Sequence, residues 1–68
     1  IQRKALTKLW NLHMADKLEC LLNPPSNHFK LLQGDRKGQY SIRINRQWRI
    51  CFYWIGKNAH DVEIVDYH

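Results

Sequence analysis

The Asn23-Pro24-Pro25-Ser26 break divides the chain into two stretches whose apolar residues follow different periods. Neither proline has an N–H to donate, and each pushes its preceding residue away from helical geometry, so no helix runs through the break. Before it, Ile1, Ala5, Leu9 and Leu12 fall on one stripe with Leu6 and Trp10 beside it, while Arg3, Lys4, Lys8 and Asn11 lie largely elsewhere. That spacing predicts a helix over 1–14. Asp16 followed by Glu19 has the form of an N-cap with its reciprocal acid, which predicts a second short helix over about 17–22.

After the break the period falls to two. Residues 29–32 are a short apolar run, and Gly34-Asp35-Arg36-Lys37-Gly38 reads as a turn. Over 40–45, Ile42 and Ile44 alternate with Ser41, Arg43 and Asn45; over 48–54, Trp48, Ile50, Phe52 and Trp54 alternate with Arg49, Cys51 and Tyr53. Residues 55–58, with Gly56, form a hairpin turn, and 62–66 a last strand. Short connections make these strands antiparallel neighbours. The expected fold class is α+β, with two N-terminal helices packed on a small antiparallel β-sheet in one domain over 1–68.

A chain of 68 residues buries only about 60% of its unfolded surface, which excludes a multidomain enzyme, a deep cofactor cavity and a two-domain cleft. Three Trp, three Tyr and two Phe within a 44% hydrophobic composition exclude a disordered segment. No apolar run is long enough for a membrane span, and the basic amino end lacks the apolar core of a signal peptide. Cys20 and Cys51 stand in no paired motif and fit two reduced thiols, so a cytoplasmic protein is expected. The chain opens on Ile1 rather than Met, and an amino-terminal segment is expected to be missing.

Net charge is +5, and it is unevenly placed. Residues 30–57 hold seven cations (Lys30, Arg36, Lys37, Arg43, Arg46, Arg49 and Lys57) against one acid, Asp35, whereas 58–68 hold Asp61, Glu63 and Asp66 and no Lys or Arg. Two readings stand: a solvated face that maintains solubility, or a phosphate-binding strip. Arg43 and Arg49 are the sharpest candidates, because guanidinium forks on neighbouring strands can clamp one phosphate. At the carboxyl end Asp66-Tyr67-His68 sets a phenol beside an imidazole. Metal-free RNA cleavage needs a base for the 2′-hydroxyl, an acid for the departing 5′-oxygen and a cation for the phosphorane, tasks that His, Tyr, Lys and Arg can divide. The plain alternative is a frayed terminus. His13 reads as a surface helix residue, and His28 and His60 lie in loop contexts. No His or Cys pair has zinc spacing, so no metal or other cofactor is expected. Trp48, Phe52 and Trp54 read as core in preference to a base-stacking platform.

The run Gly34-Asp35-Arg36-x-Gly38-Gln39-Tyr40-Ser41-Ile42-Arg43-Ile44-Asn45-x-Gln47-Trp48-Arg49-Ile50-Cys51-Phe52, followed by Val62-Glu63-Ile64-Val65-Asp66-Tyr67-His68, resembles the HigB/GraT branch of the RelE/ParE toxin superfamily. The resemblance is close over the second half and looser over the Leu-rich segment and the Pro-Pro turn. It implies a RelE-like fold that here lacks its N-terminal strand, and a type II toxin: a ribosome-dependent mRNA interferase that cuts translated mRNA in the A site of the 70S ribosome. The products are a cyclic phosphate and a 5′-hydroxyl. It further implies neutralisation by a helix-turn-helix, HigA-like antitoxin, through which alone DNA is contacted. The family's transition-state arginine falls on Arg49 and its terminal Tyr-His pair on Tyr67 and His68. Where some relatives carry a His-x-x-Lys pair, this chain has Lys30 and Gln33. Either Lys30 is the base, or His68 acts more nearly alone. Arg36, Lys37, Arg43 and Arg46 are then contacts to RNA or ribosomal phosphates. A gyrase-inhibiting toxin of the ParE type, or a non-catalytic module binding nucleic acid or antitoxin, remain the alternatives.

Overall fold

The computed structural model describes residues 2–22 and 25–66. Helix α1 (Gln2–Met14) forms where the 3.6-residue stripe predicts it: Leu12 is buried, and Ala5 and Leu9 pack against the core. Its apolar face is narrow, and Leu6, Trp10 and Met14, four residues apart in turn, face solvent.

The expected second α-helix is replaced by a 3₁₀ segment, Leu18–Leu22. The Cys20 N–H bonds to the Lys17 carbonyl at 3.1 Å, a three-residue closure. With prolines immediately downstream, so short a segment cannot offset the cost of an α-helical nucleus, and the tighter winding buries Leu21 in the core with Leu18 packed against it. A further 3₁₀ turn, Pro25–Asn27, leads into the sheet.

The sheet is a four-stranded antiparallel meander in the order β1-β2-β3-β4. Its strands are β1 (Lys30–Leu31), β2 (Tyr40–Arg43), β3 (Trp48–Ile55) and β4 (Asn58–Asp66). Cross-strand partners share a face, so the register sorts the side chains. Tyr40 opposes Phe52 and Ile42 opposes Ile50 on the face that α1 covers. Phe52, Ile42 and Ile50 are fully buried there with Leu12 and Leu21, and Trp48 and Trp54 pack around them as core. The other face carries the row Lys30, Ser41, Cys51, Glu63 and, one step along, Arg43, Arg49, Val65.

Strand β4 starts well before the expected residue 62, because the turn at Gly56 closes tightly enough for Ile55 to pair with Asn58. Gly56 has φ +63 while Lys57 does not enter the positive region, the pattern of a two-residue turn with glycine first. His60, expected in a loop, is therefore in the strand opposite Tyr53. Between Cys51↔Glu63 and Tyr53↔His60 the register shifts, and Asp61 at φ +52 marks the bulge. Among the described residues, no helix is long and apolar enough to cross a membrane.

Candidate nucleic-acid interface

Arg43 and Arg49 are direct cross-strand partners. The Ile44 N–H bonds to the Trp48 carbonyl at 2.9 Å, which makes the adjacent Arg43–Arg49 pair one of the non-hydrogen-bonded kind, with Cα atoms about 4.5 Å apart. Like charges so placed disfavour the sheet. Each guanidinium is held by the surrounding chain. Arg49, only 7% exposed, donates from Nε to Ser41 Oγ at 3.0 Å and from Nη2 to the His28 carbonyl. Arg43, half-buried, donates from Nε to the Asn45 carbonyl at 3.0 Å, and its Nη1 lies 3.2 Å from His28 Nε2. The β2–β3 turn is fixed by Asn45, whose Oδ1 accepts from the Gln47 N–H at 2.8 Å and the Trp48 N–H at 3.0 Å. Arg46 is left exposed at its tip.

These side chains line an open basin of about 330 Å³ together with His28 and Lys30. A second basin of about 540 Å³ shares His28, Arg43 and Arg46 and continues onto α1 through Arg3, Lys4 and Lys8. Lys8 donates to Oδ1 of the buried Asn27, whose amide in turn donates to the Leu21 carbonyl at 3.1 Å. The three helix cations are missing from the sequence-based site. Their polar stripe, Arg3, Lys4, Thr7 and Lys8, is visible as helical spacing, but only the tertiary fold turns it toward Arg43.

The structure thus gathers Lys30, Arg43, Arg46 and Arg49, and it does not bring Arg36 or Lys37 to the same basin. Arg36 Nη1 donates to Glu63 Oε1 at 3.0 Å and to Gln39 Oε1 at 3.1 Å, tying the Gly34–Arg36 turn to β4. The Glu63 carboxylate pushes the Arg36 guanidinium still higher, and the Arg36 hydrogen bond and charge hold the Glu63 carboxyl below its ordinary value. Lys37 is exposed just beyond. Burial pushes the Cys51 thiol up, and Cys51 and Cys20 are both free. Strand β4 sets Val65 opposite Arg49 and Asp66 opposite Trp48; Tyr67 and His68 follow and lie outside the described residues. Among the described residues no cluster of His, Cys, Asp and Glu is arranged to hold a metal ion.

Chemically, the basin presents two hydrogen-bonded guanidinium forks on one sheet face, with additional cations around them and the His28 imidazole against Arg43. The chain matches, over residues 1–68, a family described as HigB-like toxins, RelE-like toxins of the type II toxin-antitoxin system HigB. It is 40% identical over 55 residues to Toxin HigB-1 of Vibrio cholerae serotype O1, a stretch covering 81% of this chain and 58% of that protein. It is 43% identical over 37 residues to Endoribonuclease HigB of Proteus vulgaris, covering 54% of this chain and 40% of that protein. The chain spans about half the length of the curated relatives it matches.

Proposed function

The chain belongs to the HigB-like family of RelE-like toxins, and from that premise we propose that it acts as the toxin of a type II toxin–antitoxin pair, cutting translated mRNA in the ribosomal A site. The reaction is attack of the 2′-hydroxyl on the adjacent phosphate, leaving a cyclic phosphate and a 5′-hydroxyl. Arg49, with Arg43 beside it, holds the phosphate and its developing charge. Tyr67 and His68 complete the site, with His68 protonating the leaving 5′-oxygen and Lys30 at its margin. Arg46, and more distantly Arg36 and Lys37, take phosphates of the message or the ribosome. In this reading the partners are the 70S ribosome, mRNA and a helix-turn-helix antitoxin, and the place of action is the cytoplasm.

The observation that carries the reading is the Arg43–Arg49 pair. Two cations face one another across a narrow strand pair at a cost to the sheet, and a bound phosphate removes that cost. The name Endoribonuclease HigB of the Proteus vulgaris relative supports the same chemistry. Primer extension on a translated message, run with and without ribosomes, tests it. Cuts within the coding region that require ribosomes are expected; an intact message in both arms would refute it.

A further inference from the structure

We infer that His28 is the proton acceptor of this site, its Nε2 taking the 2′-hydroxyl proton at the phosphate held by Arg43 and Arg49. The inference rests on the cleavage reading above. His28 has φ +45, a left-handed conformation that side-chain-bearing residues seldom adopt. Its N–H donates to the Pro25 carbonyl at 3.0 Å, and its own carbonyl accepts from Arg49 Nη2. Strain of this kind persists where the surroundings over-determine it, and it aims a side chain. The ring is thereby brought to the wall shared by both cationic basins, with Nε2 3.2 Å from Arg43 Nη1.

A guanidinium can only donate, so Nε2 is the acceptor in this contact, the role a base requires of it. The charged groups lining the two basins with it are Arg43, Arg46, Arg49 and Lys30 from the sheet and its turn, and Arg3, Lys4 and Lys8 from α1; no carboxylate is among them. A phosphate oxygen is a stronger acceptor for Arg43 than an imidazole nitrogen. Arrival of the scissile phosphate therefore draws Arg43 away and releases Nε2 at the moment it is needed. The 2′-oxygen gives its proton to Nε2 and bonds to phosphorus, the P–O5′ bond breaks, and His68 protonates the 5′-oxygen. Both histidines then return to their starting states by exchange with water.

The test is single-turnover cleavage of a ribosome-bound message by His28→Gly and His28→Gln across the imidazole titration range, about pH 5 to 8, with and without added imidazole. Affinity is measured in parallel with a 2′-O-methyl RNA that cannot be cut, and folding by thermal melting. Glycine suits the positive φ, so His28→Gly keeps the fold. Both variants are expected to bind as the parent does, to cleave about 10²–10⁴-fold more slowly and to lose the rise in rate with pH, and imidazole restores His28→Gly alone. Parent-like cleavage with an unchanged pH profile overturns the inference, as does a loss of rate matched by loss of affinity without imidazole rescue. A parent protein that leaves the message intact removes the cleavage reading itself and this inference with it.

Discussion

A nearly buried guanidinium is an expensive choice for a sheet, since it exchanges water for a small number of fixed acceptors. Arg49 meets that demand through Ser41 Oγ and the His28 carbonyl, and in doing so it holds the strained His28 peptide in place. Arg49→Ala is therefore expected to cost about 1–3 kcal/mol in urea unfolding, from the buried acceptors it abandons. Arg49→Lys keeps the charge and loses the two-point geometry, so it is expected to retain most of the RNA affinity and little of the cleavage. Arg43 behaves differently. It is half-buried, and its removal relieves a like-charge pair. Arg43→Gln is expected to leave the unfolding midpoint unchanged or raised, while reducing the salt dependence of RNA binding by about one unit of slope. A lowered midpoint with unaltered salt slope would show that Arg43 serves the fold and not the ligand.

At the scale of elements, the β3–β4 hairpin positions Arg49 and carries the chain toward its terminal Tyr-His. Its turn depends on Gly56 at φ +63, where an added Cβ meets nothing within 4 Å. Gly56→Ala is thus expected to cost about 1 kcal/mol of thermal stability for backbone reasons alone, with Gly56→Asn costing less. The Arg36–Glu63 ion pair ties the turn before β2 to β4. Because Arg36 holds the Glu63 carboxyl below its ordinary value, the pair's stabilisation is complete above the ordinary carboxyl range. It is lost as pH falls through the lowered value. Glu63→Gln should flatten the acid limb of a stability–pH curve; superimposable curves would remove the pair from the account.

The legible elements are those whose period or turn chemistry is local. Alternation in 40–45 and 48–54 places Arg43 and Arg49 on one face, and Gly56 marks the hairpin. The second helix was not legible, because Asp16 and Glu19 signal a start while the chain length before Pro24 decides the winding. The bulge at Asp61 and the position of His28 depend on positive φ values at non-glycine residues, for which sequence spacing gives no sign.

For the whole molecule, the decisive property is charge segregation. Cations of α1, the β2–β3 turn and the outer sheet face converge on two adjoining basins that no carboxylate lines; of the β4 acids, Glu63 is paired with Arg36, and Asp66 accepts from Gln47 in the β2–β3 turn. Summed over the chain the charge is only +5, but its placement focuses attraction for a polyanion on one side. Affinity for RNA is expected to fall steeply with salt, and more so for the parent than for a Lys4→Gln, Lys8→Gln double variant, since these residues extend the surface beyond Arg43. Sequence showed the basic strip from Lys30 onward; it did not show that the amino-terminal helix widens it, because that convergence is tertiary.

The most direct measurement is the single-turnover rate at which Arg49→Ala cuts a message on programmed ribosomes, compared with the parent protein. The rate is expected to fall about 10²–10³-fold while antitoxin binding is retained. Cleavage at the parent rate would contradict the assignment of Arg49 to the reacting phosphate.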